Sequence, residues 1–376
     1  MRKIQMVDVC NQYQKIKEEV DAAIHNVIDK GTFIRGDEVH LFEQELAVFH
    51  GSKHAIACAN GTDALQIALM SLGLQPGDEV ISPDFTFVST IEAAALLRLK
   101  PVLADIEPHY FTISPKSIEK KISSKTKAII PVHLFGQCAD MDEVLSLAKS
   151  NNLYVVEDNA QSIGSEYAFS KNTILKAGNI GDIGCTSFFP SKNLGCFGDG
   201  GALTTNNDEL AERIRGIANH GMKVKYVNHY IGVNSRLDTI QAAVLRIKLR
   251  HLDQYILERK KVASFYNEKL QKLDAITIPA RRENSMHVYN QYTILLDPSV
   301  NRDEFRNFLE KKSVPSMIYY PRPMHRQKAY KYLESPDCHY PVTNDITGRI
   351  VSLPIHTEMD NEQLEYISDA IHSYFK

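Results

Sequence analysis

The feature that most constrains this chain is a repeated alternation of short apolar runs with segments of helical periodicity. The runs HAIACA, DEVIS, KPVLAD, KAIIPVHL, LYVVED and GALTT are too short for helices and are bounded by polar turns, so they read as strands. Between them, TDALQIALMSLG and MDEVLSLAKSNN repeat apolar residues three and four apart, as helices do. Strand and helix in turn predict an α/β fold, a mostly parallel sheet covered on both faces. Ligands of such sheets sit beyond the carboxyl ends of the strands. The most distinctive polar residues of the chain all follow strands directly.

A chain of 376 residues exceeds what one core ordinarily needs. We expect a large domain over residues 1–250 and a smaller α+β domain over residues 251–376. Helical spacing from Gln14 to Lys30 gives the large domain an N-terminal arm, and Arg236 to about Leu270 reads as one long helix, straight or kinked, across the boundary. The smaller domain rests on strand-like QYTILL and helix-like RDEFRNFLEKK and NEQLEYISDAIHSYF. A net charge of -3 creates no field that would draw nucleic acid or a membrane, so an anionic ligand must be held by local groups. The six cysteines form no CxxC pair and the fourteen histidines no HExxH, so no metal is expected. The polar start MRKIQMVDVCNQYQK and the lack of a long apolar run predict neither a leader nor a membrane span, and a reduced, cytoplasmic setting.

Three segments carry candidate chemistry. In NGTDALQIAL a strand ends, a glycine follows and a helix starts, so the free N–H groups of Gly61, Thr62 and Asp63 can hold a phosphate. Asp63 would act through its amide rather than its carboxylate. The plain alternative is an Asn-Gly turn with Thr62 as helix cap. In LYVVEDNAQSIG, Asp158 ends a buried strand, where a carboxylate is costly unless it meets a cation such as a protonated ring nitrogen. Gln161 stands three residues on, within reach of a ring oxygen; a cap or structural ion pair would equally account for Asp158. In TSFFPSKNLGCFGDGGALTT, Lys192 lies between an apolar Phe188–Phe189 pair and the glycines 195, 198, 200 and 201. A Schiff-base lysine needs a partly desolvated amine, and glycines permit unusual backbone angles and close approach of the chain to a cofactor. Ser187 can add a hydroxyl to the phosphate site. Taken alone, Lys192 would be a solvated surface lysine.

Together, and in this order, these segments resemble the DegT/DnrJ/EryC1/StrS family of pyridoxal-phosphate-dependent sugar aminotransferases. GTFIRGDEVHLFE, CANGTDAL, PDFTFVST, PVHLFGQ, EDNAQS, TSFFPSKNLGCFGDGGA, IGVNSRLDTIQAA and YYPRP carry the likeness across nearly the whole chain. The resemblance implies an aspartate-aminotransferase-like (fold type I) structure, a homodimer with shared active sites, and pyridoxal 5'-phosphate as cofactor. It implies Lys192 as the Schiff-base residue, Asp158 on the pyridine nitrogen and Gln161 on the ring oxygen. It also implies Phe87 stacked on the ring, Ser187 with Gly61, Thr62 and Asp63 on the phosphate, and Asn234 reaching that phosphate from the partner subunit.

Within the family the chain is most similar to enzymes acting on UDP-2-acetamido-2-deoxy-3-oxo-glucuronate. That likeness implies Gly31, Phe33, Ser191, Arg236, Tyr319 and Tyr320 as contacts to the nucleotide sugar, L-glutamate as amino donor, and a place in surface-polysaccharide or O-antigen sugar synthesis. Tyr319 departs from the subgroup, which has histidine there. A dTDP-3-keto-6-deoxyhexose or a 4-keto sugar is therefore the alternative substrate. Relatives that dehydrate replace the lysine with histidine; this chain keeps Lys192. A non-catalytic sugar-nucleotide binder would need no Schiff-base lysine, and a dinucleotide-dependent oxidoreductase would need a GxGxxG after the first strand, which is absent.

Overall fold

The apolar runs become strands because their residues are buried on both faces, as a covered parallel sheet requires. The computed structural model describes residues 2–169, 173–333 and 336–376. Its strands are β1 (His54–Cys58), β2 (Glu79–Pro83), β3 (Lys100–Ala104), β4 (Thr126–Ile129), β5 (Tyr154–Asp158), β6 (Ile183–Ser187) and β7 (Gly201–Thr205). Among the described residues they form a seven-stranded sheet in the spatial order β1-β7-β6-β5-β4-β2-β3. The pairs β6–β5, β5–β4, β4–β2 and β2–β3 are parallel. β7 is antiparallel to both β1 and β6, so β1 points the same way as the rest. The carboxyl ends of β1, β2, β5 and β6 therefore lie on one edge of the sheet.

β6 escapes the sequence pattern because Gly184 interrupts it. The chain at Gly178 crosses so near that a Cβ on residue 184 would lie 2.1 Å from the Gly178 carbonyl oxygen. KAIIPVHL makes a shorter strand than expected. Pro131 has no N–H to donate, and the chain continues only as an isolated bridge between Val132 and Asp158. Two expected helices are each divided. The N-terminal arm is Val9–Lys15 and Lys17–Lys30, broken at buried Ile16. The long helix begins at Thr239 and breaks at His251.

The helix α1 (Gly61–Ser71) covers one face of the sheet, burying Leu65, Ala68 and Leu69 against a core that includes Ile56, Val80, Val156 and Leu203. A smaller antiparallel sheet pairs β8 (Ile276–Thr277), β9 (Tyr292–Leu296) and β10 (Ile350–Leu353). Leu252 and Ile256 of the Leu252–Leu270 helix belong to the large core, whereas its Val262, Tyr266 and Leu270 pack on β9 and β10. Ile4 joins that second core, and the Ile355 N–H donates to the Met6 carbonyl at 3.3 Å. We propose that the domain division falls inside this helix, with the first residues crossing back to the smaller lobe.

Successive side chains of β5 point to opposite faces, so Glu157 and Asp158 part company. Glu157 is fully buried and accepts from His133 Nε2 (2.8 Å) and from the amides of Gly178 (2.8 Å), Ile180 (2.7 Å) and Gly181 (2.7 Å). Burial alone would raise this carboxyl, but His133 and the amides outweigh it and hold it below the ordinary value of 4.5. Truncating Glu157→Ala orphans these donors and should cost about 3–5 kcal/mol in urea unfolding. Because the folded carboxyl is depressed, its stabilisation is present above the ordinary value and is lost as pH falls through the lower folded one. Glu157→Gln should flatten the acid limb of stability against pH; a limb as steep as that of the parent protein would contradict this reading.

Candidate active site

A cavity of about 420 Å³ opens where β1, β2, β5 and β6 end. Its floor at one end is the start of α1. Asn60 caps that helix, its Oδ1 accepting the Asp63 N–H at 2.8 Å. The N–H groups of Gly61 and Thr62 have no acceptor among the described residues, so they and the helix dipole offer an anion site. The Asp63 amide is engaged by its cap, and Asp63 is not in the wall, so the cradle rests on Gly61 and Thr62. Thr62 is not the cap: its hydroxyl bonds Ser89 Oγ at 2.6 Å. Gly61 lies so close to the end of β6 that a Cβ would stand 2.7 Å from Ser187 Cβ, which brings the Ser187 hydroxyl into the same cradle. Gly195 and Gly201 answer the same need. A Cβ on either would come within 2.4 Å of backbone, of Pro190 and Asn60 respectively. None of the four glycines after Lys192 has a positive φ, and close approach of backbone accounts for Gly195 and Gly201.

At the other end stands Asp158, buried, with Oδ2 accepting from Thr90 Oγ1 (2.8 Å) and Oδ1 from the Ala160 N–H (3.2 Å). Neither oxygen meets a cation at ion-pair distance among the described residues. Gln161 accepts the Phe135 N–H at 2.7 Å and donates to Tyr320 Oη at 2.9 Å. Its amide nitrogen keeps a second hydrogen for a ring oxygen. Phe87 lies in the wall with 53% of its area exposed, tilted against Tyr320 at 5.8 Å between ring centres. An exposed phenyl face inside a cavity is a platform for a flat ligand.

Lys192 faces the same space, beside Phe189; Phe188 points instead into the core against Phe42. Burial strips water from the amine and lowers it to about 8, while the negative charge of Asp158 works in the opposite direction. Ser191, Tyr319 and Tyr320 are also in the wall. Asp84, just after β2, anchors the chain at Met324 and His325, a few residues beyond the two tyrosines. It accepts the backbone N–H of His325 (2.8 Å) and bonds the ring Nδ1 (2.6 Å).

Gly31, Phe33, Asn234 and Arg236 are not in this wall. The structure gathers them elsewhere. The Phe33 carbonyl accepts the Thr239 N–H at 2.9 Å and Ile34 bridges Asp238, so both stretches share one edge, where Asn234 and Phe33 are exposed. Asn60, Asp84, Thr86, Ser89 and Thr90 were not singled out from sequence. PDFTFVST holds most of them, but the partners of Asp84, Ser89 and Thr90 lie far along the chain.

The residues present fit a flat, phosphorylated pyridine aldehyde: an anion cradle, an aromatic platform, an unpaired buried carboxylate and a partly neutral amine. No group of three or more His, Cys, Asp or Glu side chains suited to a metal occurs among the described residues, and no described helix is long and apolar enough to cross a membrane. The profile of the DegT/DnrJ/EryC1/StrS aminotransferase family matches residues 14–372. The UDP-2-acetamido-2-deoxy-3-oxo-D-glucuronate aminotransferase of Pseudomonas aeruginosa is 44% identical, covering 98% of this chain and 99% of its own. A pleiotropic regulatory protein of Geobacillus stearothermophilus is 40% identical over 99% of both. The crystal structure of S. venezuelae DesV in complex with a ketimine intermediate superposes with a TM-score of 0.95 at 36% identity, covering 100% of this chain and 99% of that one.

Gly61→Ala should force Ser187 away from α1 and weaken pyridoxal 5'-phosphate binding at least about tenfold in a fluorescence titration. An unchanged Kd would refute the close-packed cradle. With Lys192 near 8, cofactor capture by the apoenzyme should rise about tenfold from pH 6 to pH 7 and level above about pH 9. Stopped-flow visible absorbance reads this directly; a rate still climbing tenfold per pH unit beyond pH 9 would mark an ordinary solvated lysine.

Proposed function

This chain belongs to the DegT/DnrJ/EryC1/StrS aminotransferase family, and on that premise we propose that it moves an amino group from L-glutamate to the 3-keto carbon of UDP-2-acetamido-2-deoxy-3-oxo-glucuronate. The coarser activity is that of a pyridoxal-phosphate enzyme converting a keto nucleotide sugar to its amino sugar. The observation that carries the reading is the meeting of Lys192, Asp158 and the α1 amides in one cavity.

Each residue then has a task. Gly61, Thr62 and Ser187 would hold the phosphate, and Phe87 would support the flat face of the ring. Lys192, partly neutral, would supply the amine that tethers the cofactor and the base that moves a proton at the substrate carbon. Asp158 would hold a proton on the ring nitrogen. When bound, the cofactor supplies an electron sink and an aldehyde that can carry the amino group. Donor and keto sugar use the same lysine in turn, so kinetics should be ping-pong.

We further propose a homodimer in the cytoplasm, serving surface-polysaccharide or lipopolysaccharide sugar synthesis. The exposed edge carrying Phe33, Asn234 and Arg236 would face the cavity of the partner, with the hairpin Met222–Val224/Val227–Asn228 beside it. Tyr319 in the wall, where the subgroup has histidine, keeps a dTDP-3-keto-6-deoxyhexose or 4-keto sugar as the alternative substrate. The regulatory relative raises a non-catalytic reading, but a binder gains nothing from a desolvated lysine facing an unpaired carboxylate.

Charging the protein as its pyridoxamine-phosphate form and offering keto nucleotide sugars separates these readings. The 3-keto uronate should restore the visible absorbance at least tenfold faster than dTDP-linked 3- or 4-keto sugars, and Lys192→Ala should lower turnover by several orders of magnitude. Restoration by a dTDP sugar alone would replace the substrate, and full activity in Lys192→Ala would remove the reading.

A further inference from the structure

Asp158 must present its charge to a ring nitrogen, yet the carboxylate ends a strand and could rotate. Two donors fix it, and they differ in kind. The Ala160 N–H belongs to the chain two residues on and follows the backbone. The Thr90 hydroxyl comes from 68 residues away along the chain, at 2.8 Å.

Thr90 is the second residue of the helix Ser89–Leu96. It is 1% exposed and does not line the cavity, so it touches no ligand there and acts through Asp158. Its single hydroxyl hydrogen must point at Asp158, because an ionised carboxylate only accepts. The hydroxyl of Thr86, 3.0 Å from Thr90 Oγ1, must then donate to Thr90. The order Thr86 to Thr90 to Asp158 is thus fixed by valence, and each bond polarises the next. The preceding residue, Ser89, grips Thr62 at the phosphate end. Adjacent hydroxyls of one helix start therefore tie both ends of the slot together.

We propose that Thr90, supported by Thr86, is a positioning residue that fixes the direction and charge of the Asp158 carboxylate toward the cofactor ring. This rests on the assignment of Asp158 to the ring nitrogen.

The test is the ¹⁵N NMR signal of the ring nitrogen in holoenzyme reconstituted with ¹⁵N-labelled cofactor, read beside kcat and KM. Thr90→Val should move the signal toward neutral pyridine and lower kcat about tenfold, some 1.4 kcal/mol, with KM for glutamate within about twofold. Thr90→Ser, which keeps the hydroxyl, should restore both. A parental signal in Thr90→Val, whatever its kcat, overturns the proposal. Thr86→Val leaves Thr90 in place and should shift the signal less in the same direction. It decides the matter should Thr90→Val not fold, an unmoved signal then counting against the relay. Asp158→Asn separates the two levels: a large shift there beside none in Thr90→Val sinks only the Thr90 role, while no shift in Asp158→Asn sinks the ring-nitrogen assignment as well.

Discussion

An amine and a carboxylate share one water-poor cavity, and most of what surrounds them answers to the cost of that arrangement. A buried charge must be paired, hydrogen-bonded or given up. Lys192 gives its proton up in part: near 8 rather than 10.5, about a tenth of it is neutral at pH 7, against roughly three in ten thousand for a solvated lysine. Asp158 instead accepts from Thr90 and Ala160. No cation stands at ion-pair distance from it among the described residues, and the start of α1 turns free N–H groups to the opposite end of the cavity. The imbalance describes the ligand: flat, positive at one edge and negative at the other.

Desolvation alone does not mark the catalytic amine. Lys248 is also buried and also lowered to about 8, but its Nζ donates to the Gly195 carbonyl at 2.6 Å and lies 5.5 Å from the Phe197 ring centre. It pins the loop after Lys192 from below, whereas Lys192 opens on the cavity. The antiparallel β7 completes the device. It brings the chain back from that loop so that Gly201 packs on Asn60, joining the lysine loop to the phosphate cradle. Sheet direction, glycine spacing and the position of the reactive amine are one constraint seen at three scales.

What could be read from sequence follows from how local the signal is. Strands buried on both faces announce themselves, so β1, β2, β3, β5 and β7 were expected close to where they lie. β6 was not, because the glycine that its neighbour requires looks like a strand breaker. Lys192, Asp158 and Gln161 stand in short segments whose types and order are distinctive. Thr90 and Asp84 matter only through partners 68 and 241 positions away, and nothing in PDFTFVST distinguishes a threonine holding a carboxylate from one holding a helix end. The cap of α1 shows the limit within a single motif. NGTD suggests Thr62 as the cap, but Asn60 Oδ1 accepts the Asp63 N–H and Thr62 is turned to Ser89 instead.

Apart from Asp63, whose amide is taken by the Asn60 cap, the site residues inferred by resemblance fall into two groups. One lines the cavity; the other, Gly31 and Phe33 with Asn234 and Arg236, lies along a separate edge held by the Phe33–Thr239 bond. A volume of about 420 Å³ is near the lower end of ligand pockets, roughly 300–1,000 Å³. With Phe87 and the α1 amides turned to the cofactor, a nucleotide sugar would reach Ser191, Tyr319 and Tyr320 in the wall and extend onto surfaces that one copy leaves open. Phe33 and the hairpin residues Tyr226 and Val227 are exposed apolar groups of the sort a second copy would cover. In the proposed homodimer, one chain would supply the chemistry, and the edge of the other would supply part of the wall against which the sugar is recognised.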